Sequence, residues 1–403
     1  MSLEYKKLGD VADFIRGITY KPNDLVENFS EGSTVCMRTA NVQVQLKQDD
    51  LLSVPDNLVK NEDKFLIEGD ILVSTANSWN LVGKCCWVPK LEYSATAGGF
   101  ISILRANQEK LDQRYLYHWF NSPNTQLLAR NCGRQTTNIS NMDLERCLSI
   151  KIPLPPLAEQ RRIASILDQA DMLRQKRQQA IEKLDQLLQA TFIDMFGDPV
   201  SNPKGWDLVK VGDIVDEFIG GKNIECPDER ESKYKILKVS AVTSKVYKPD
   251  ESKFAPNNFE PNPLAIVEQG DLLFSRANTT ELVAATAYVW DTPENIVLPD
   301  KLWKFSISDD SKVNKLYLWD LFKNTEFRNE LSKLSSGTSG SMKNISKGKL
   351  NEMLMPLPPK EQQDKFAETS TKLWEQIKTF RRSSASLNSL FKTLQNQAFS
   401  GNL

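Results

Sequence analysis

Residues 152–171 read IPLPPLAEQRRIASILDQAD, and residues 355–369 read MPLPPKEQQDKFAET. One phrase thus stands in the middle of the chain and again near its end. A proline pair followed by an acid and a long polar, periodic stretch is a helix entry. Proline suits the first helical turn, and Glu159 or Glu361 there complements the helix dipole. The second copy reads one residue shorter, with Gln362 at the place of Gln160.

Four more phrases recur in the same order at a spacing of about 200 residues, the mark of an internal duplication. KLGDV at 7–11 matches KVGDI at 210–214, and GDILVS at 69–74 matches GDLLFS at 270–275. Leu116, Tyr117 and Trp119 match Leu316, Tyr317 and Trp319, and NIS at 138–140 matches NIS at 344–346. Between these anchors the halves differ almost completely. Each half is a globular part followed by a proline hinge and a long helix. The expected segments are residues 1–151, a helix over 152–197, a linker over 198–205, a second globular part over 206–354 and a second helix over 355–403.

The globular parts mix short apolar runs, such as Ile71, Leu72 and Val73 or Leu272, Leu273 and Phe274, with helical stretches over 114–120 and 315–322. Runs of that length bounded by turn residues read as buried strands, so the fold class is α/β or α+β. In the first long helix the heptad a row is Ile163, Ala170, Arg177, Leu184 and Thr191, and the d row is Ile166, Leu173, Ala180, Leu187 and Asp194. Leu167, Ile181, Leu188 and Met195 widen the stripe at e. In the second the a row, Phe366, Leu373, Phe380, Leu387 and Leu394, is wholly apolar, and the d row is mostly polar. Two long helices with an apolar stripe point to a coiled coil. A helix over 158–196 is roughly 58 Å long at ~1.5 Å per residue. If the helices were parallel, the second globular part would have to carry the chain back that distance. Antiparallel pairing avoids this and gives a rod with a pseudo-two-fold axis and a globular domain at each end.

Composition narrows the chemistry. The 403 residues are 40% apolar and 26% charged, an ordinary soluble composition with room for two or three cores. No apolar run approaches the ~20 residues that span a bilayer, and MSLEYKKLGD lacks the apolar centre of a signal peptide. A cytoplasmic location is expected. Six cysteines without C-x-x-C spacing read as reduced, buried thiols rather than zinc ligands. The one histidine, His118 in YLYHWF, reads as a packed residue and excludes a multi-histidine metal site. No G-x-G loop, P-loop or Asn-Pro-Pro-aromatic methyltransferase motif is present. Pro227, Asp228, Glu251 and Lys253 fit the letters of a P-D…E-x-K nuclease, but DESKFAPNN at 250–258 reads as a polar loop, a poor support for a catalytic metal.

What remains is binding apparatus. The stretch 331–351 carries Lys333, Lys343, Lys347 and Lys349 and no acid; its counterpart, 126–142, carries Arg130 and Arg134 and no acid. Both are rich in residues that donate to phosphates or to base edges. In the first half the candidates are Arg38, Asn41, Thr75, Asn77, Lys84, Arg134, Gln135, Thr136 and Asn138. In the second they are Lys238, Ser240, Ser275, Arg276, Asn278, Ser339, Ser341, Lys343 and Asn344. With a formal net charge of −1, any nucleic-acid affinity must come from local patches.

The duplicated hinge, P-L-P-P-x-x-E-Q at 153–160 with its copy at 356–362, resembles the specificity subunit of type I restriction–modification systems, as do the phrases GDILVS and Q-x-x-N-I-S at 135–140. The resemblance covers essentially the whole chain. It implies two target-recognition domains, each reading one half of a bipartite, asymmetric site on double-stranded DNA, with the paired helices setting the unread gap. It implies docking of two methylation subunits, and of restriction subunits beside them. S-adenosylmethionine, ATP and magnesium belong on those partners, and this chain has no cofactor and no catalytic residue. A coiled-coil scaffold or regulator with no DNA role is the alternative reading.

Overall fold

The computed structural model describes residues 4–135, 139–226, 231–337 and 342–403, apart from the side chains of Arg134 and Gln135. The chain forms two compact units, Met1–Gln178 with Arg382–Leu403 and Gln179–Arg381. The boundary does not follow the line between globular part and helix: each unit takes about half of each long helix.

The first unit is built on an antiparallel sheet in the order Ala12–Arg16, Ile101–Ala106, Ile71–Ser74 and Cys85–Trp87. Ile71, Val73, Cys85 and Leu104 face a core that includes the helix Gln113–Phe120. Leu72, Cys86 and Ile103 face a second core under a mixed sheet, where Ser33–Met37 pairs parallel with Ala95–Ala97 and antiparallel with Ser53–Pro55. A strand covered on both faces needs an unbroken apolar run, which is why ILV appears without alternation.

The second unit repeats this frame. Its antiparallel sheet runs Glu217–Gly220, Leu302–Ser306, Leu272–Ser275 and Thr286–Tyr288. Its mixed sheet runs Ser252–Phe254, Lys235–Leu237 and Ile296–Val297. The GD phrases turn into the central strand in both units: Gly69 and Gly270 take φ of +96° and +88°, and Asp70 and Asp271 accept from the amides of Ile67 and Glu268. Such a φ suits glycine alone among common residues. Asp70 then binds Arg105 through both carboxylate oxygens, whereas Asp271 binds Lys304 at 3.1 Å.

The repeated hinge phrase explains itself here. Each globular part closes by pairing its first strand with its last, Tyr5–Lys7 with Lys151–Pro153 and Leu208–Lys210 with Leu354–Pro356. Buried Gln160 then ties the entry of the long helix to the chain before the short helix. Its Oε1 accepts from Asp112 N at 2.8 Å, and its Nε2 donates to Lys110 O and Pro155 O. In the second unit the same three bonds are made by Gln363, to Asn314 N, Lys312 O and Pro358 O. The second hinge is therefore not shorter; Gln363, not Gln362, stands at the place of Gln160.

Two other anchors also shift. The hydroxyls of Tyr115 and Tyr317 both donate to the hinge proline carbonyl, Pro153 O and Pro356 O, so Tyr317 matches Tyr115 and not Tyr117. Asn344 lies opposite Ala277 as Asn141 lies opposite Ala76, so its counterpart is Asn141 and not Asn138.

The long helices are Leu157–Phe196 and Lys360–Ser400. Within the first unit Ile163, Ala164 and Leu167 share a core with Phe391 and Ala398, Arg162 Nη2 reaches Leu403 O and Arg174 Nε reaches Asn388 Oδ1. Within the second, Phe192 and Phe196 meet the Phe366 ring at 5.5 and 5.4 Å, and Arg381 lies 4.0 Å from Asp185. In both units the segments run antiparallel. The seam is not the a/d pattern of the sequence reading. Ile163, Leu167, Ile181 and Leu188 are buried, whereas Leu173 and Leu187 of the d row are 53% and 51% exposed. The first helix stops at Gly197, φ +79°.

Five cysteines are buried and Cys226 is partly so, all free. Among the described residues no helix is long and apolar enough to cross a membrane.

Candidate nucleic-acid interface

In the first unit two segments distant in sequence meet on one small sheet. Ala76–Asn77 pairs antiparallel with Ser140–Met142, which pairs with Gly133–Gln135. Asn77 stands opposite Ser140, and Arg134 opposite Asn141. The side chains of Arg134 and Gln135, and Thr136 and Asn138 entirely, lie outside the described residues.

Beside this sheet Asn77 Nδ2 donates to Ser74 Oγ at 3.2 Å, and Thr75 Oγ1 donates to Phe100 O at 3.2 Å. Lys84 Nζ donates to Gln43 Oε1, which ties that lysine to the loop after Ser33–Met37. Arg38 opens that loop, and its Nη2 donates to Asp50 O at 2.5 Å and Asp50 Oδ2 at 2.9 Å. Asn41 is buried. Its Oδ1 accepts from Arg38 N and its Nδ2 donates to Lys47 O, so its side chain is spent holding the loop.

The second unit assembles the matching segments. Ala277–Asn278 pairs antiparallel with Lys343–Asn344, Asn278 opposite Lys343. Arg276 bridges the two: Nη1 donates to Asn344 Oδ1 at 2.9 Å and Nε to Asp300 O at 2.6 Å, with the guanidinium 5.6 Å from the centre of the Trp303 ring. Lys343 Nζ donates to Gly337 O at 2.9 Å. Lys238 and Ser240 both face Glu251 Oε2, at 3.8 and 2.8 Å. Ser275 is buried, its hydroxyl without a partner among the described residues, inside the fold rather than on the face. Ser339 and Ser341 lie outside the described residues.

Thr75, Lys84 and Lys343 are each held by a single side-chain bond at a half-exposed position. Hydroxyl and ammonium groups so placed can exchange a backbone or carboxamide partner for a phosphate or a base edge. The nuclease letters do not assemble. Ser252–Phe254 is a strand and not a loop, Glu251 is occupied by Ser240 and Lys238, and Asp228 lies outside the described residues. Among the described residues no group of three or more His, Cys, Asp or Glu side chains could hold a metal. His118 is buried against Asp168, a packed residue as its aromatic neighbours suggested.

Sequence reasoning missed two positions. Asn141, exposed in the middle of the small sheet, is the true counterpart of Asn344. Phe100 stands 67% exposed beside Thr75, and the GGF at 98–100 that displays it gave a legible signal: two glycines before an aromatic at the start of a strand.

Comparison with known proteins agrees with this duplicated frame. The family model of the type I restriction modification DNA specificity domain matches twice, over residues 2–183 and 203–388. The specificity subunit of the type I restriction enzyme EcoKI from Escherichia coli strain K12 is 25% identical over 414 residues, covering 98% of this chain and 87% of that protein. The putative type I restriction enzyme MjaX specificity subunit of Methanocaldococcus jannaschii is 24% identical over 424 residues, covering 99% and 93%. Among solved structures, the S subunit of a type I restriction-modification system from M. genitalium superposes with a TM-score of 0.58 at 15% identity, covering 99% of this chain and 96% of that one.

Proposed function

This chain belongs to the family of type I restriction-modification DNA specificity subunits, and from that premise we propose that it reads a bipartite, asymmetric site on double-stranded DNA, one half-site per unit. One observation carries the proposal. Each unit uses the same frame to bring two segments distant in sequence onto one small sheet: Ala76, Asn77 and Asn141 recur there as Ala277, Asn278 and Asn344, while Ser140 and the flanking Thr75 give way to Lys343 and Arg276. A shared frame with different contents suits two different half-sites.

The rest of the reading follows from the helices and the charge. The paired long helices set the unread gap between half-sites and dock two methylation subunits, with restriction subunits joining that core. Leu173 and Leu187, left exposed on the first long helix, suit such docking. S-adenosylmethionine, ATP and magnesium sit on those partners, in the cytoplasm. With a net charge of −1 this chain alone holds DNA weakly, and the methylation subunits supply further contacts.

The test is co-expression with the methylation subunit of its own system, followed by sequencing of host DNA for methylated adenines. The expected result is a split, asymmetric motif with a fixed gap. Replacing Arg134 and Gln135 with alanine relaxes one half of that motif, and replacing Lys343 and Asn344 relaxes the other. A stable complex that leaves no methylated motif would overturn the reading and favour a scaffold without a DNA role.

A further inference from the structure

Phe100 is an anomaly in its surroundings: a large ring two-thirds exposed, on a turn whose backbone is fixed from several sides. Its carbonyl accepts from Thr75 N at 2.9 Å, Ala76 N at 3.3 Å and the Thr75 hydroxyl. Just before it, Gly98 N donates to Met37 O, and Gly17 runs so close that a Cβ there would lie 2.2 Å from Gly98 O. Exposing a ring costs free energy in proportion to its apolar area. Bracing the backbone fixes where the ring is presented, which lowers the ordering cost of binding.

Phe100 lines a recess of about 540 Å³ together with Ile18, Tyr20, Leu25, Leu52 and Arg38. The recess adjoins Thr75 and the small sheet, where the polar candidates stand. An apolar recess beside hydrogen-bonding groups can take up the one apolar group that a base edge presents in the major groove, the 5-methyl of thymine.

The second unit supports the assignment by contrast. Arg276 N donates to Lys301 O as Thr75 N donates to Phe100 O, so Lys301 occupies the place of Phe100. The hollow on that side holds only about 130 Å³, and three lysines, Lys222, Lys238 and Lys253, line it beside apolar residues such as Ile236 and Pro299.

We propose that Phe100 is a specificity-determining residue that recognises a thymine methyl in the half-site read by the first unit, a contact with no equivalent in the second. This rests on the reading of the chain as a DNA-recognition subunit.

The experiment uses the complex of this chain with its methylation subunits and duplexes carrying its own methylated motif. Each thymine is replaced in turn by uracil, which lacks only the methyl. The half-site weakened by the Arg134 and Gln135 substitutions is taken as the first. One uracil there is expected to weaken wild-type binding about three- to ten-fold, as burying a methyl and its neighbouring ring surface predicts. Phe100→Ala should bind the thymine duplex as weakly as wild type binds the uracil duplex, and lose nothing more on uracil. Phe100→Leu should keep part of the penalty, and an exposed position keeps both variants folded. The proposal falls if Phe100→Ala shows the wild-type uracil penalty, if no position in that half-site responds, or if that half-site contains no thymine. A complex that methylates no split motif at all sinks the broader reading instead, and the two failures are distinguishable.

Discussion

Both short helices meet a long helix through aromatic rings, Tyr115 on Phe399 in the first unit and Trp319 on Trp374 in the second, but the charged position beside them has opposite chemistry. In the first unit Gln113–Phe120 offers Arg114 and His118 to Asp168. His118 Nε2 lies 2.7 Å and Arg114 Nε 3.0 Å from Asp168 Oδ1, while the Arg114 guanidinium also covers the Trp87 ring at 4.5 Å. In the second unit the residue at the place of His118 is an acid, Asp320, buried on Lys315–Lys323. It pairs with Lys323 on its own helix, and Ser370 of the long helix approaches it at 3.4 Å. The fastening there is aromatic: the Trp374 ring stacks on Trp290 at 5.2 Å and meets Trp319 edge-on at 5.8 Å. The halves thus agree where backbone groups must be satisfied, at Tyr115 and Tyr317 and at Gln160 and Gln363. They diverge where a side chain only has to satisfy its neighbours.

The largest effect follows from the shared part. Removing a buried carboxamide that makes three bonds to backbone groups strands those groups, at ~1 kcal/mol or more each. Gln160→Ala and Gln363→Ala should therefore each lower stability by about 3 kcal/mol, measured by urea unfolding. Gln362→Ala, at the place of Glu159, should stay within about 0.5 kcal/mol. If Gln362→Ala proved the costly one, the two hinges would differ in register after all.

That register shows where the sequence stops being legible. The duplication, the buried strands and the long helices could be read because each has a periodicity or a repeated phrase. The register of the hinge could not, because Glu361 and Gln362 imitate Glu159 and Gln160 in letters while the burial of Gln363 decides the alignment. The heptad seam was misplaced for a related reason. Leu173 and Leu187 are as apolar as Leu167 and Leu188, and only the packing of the neighbouring helix tells which row is covered. At the candidate interface, composition located the segments that come together, but it could not tell Asn41, turned inward as a loop brace, from an outward amide such as Asn141.

The divergent part predicts unequal dependence on single side chains. Arg276 and Thr75 occupy matching places, yet Arg276 bridges Asn344 and Asp300 whereas, among the described residues, the Thr75 hydroxyl binds the Phe100 carbonyl alone. On the proposed function, Arg276→Ala should reduce methylation at sites with an intact second half-site by about ten-fold, the loss of one bidentate cation contact. Thr75→Ala should cost two- to three-fold at most, on the order of one neutral hydrogen bond. Equal losses would mean that both positions serve the frame rather than the reading.

The smallest effect separates the two fastenings by pH. Burial alone would raise the Asp168 carboxyl, but the hydrogen bonds from His118 and Arg114 outweigh it and hold it at about 2 against an ordinary 3.8. A depressed carboxyl stabilises the fold above its unfolded value, and that contribution is lost as pH falls from about 4 towards 2. Asp320 is shifted the other way, up, because burial outweighs Lys323 and Ser370. Its folded form holds the proton more tightly than the unfolded chain, so its burial costs stability as pH rises through 3.8 towards the folded value, and acidification relieves that cost. Hydrogen exchange followed from pH 7 to pH 3 should therefore show Gln113–Phe120 losing protection before Lys315–Lys323. Asp168→Asn should lower protection of the first helix at pH 7 by about 1 kcal/mol, after discounting for a carboxylate 36% exposed, and flatten its acid limb. Loss of protection in both helices at one pH, or an unchanged acid limb in Asp168→Asn, would show that the ionic and aromatic fastenings respond alike and that the contrast between them has no energetic weight.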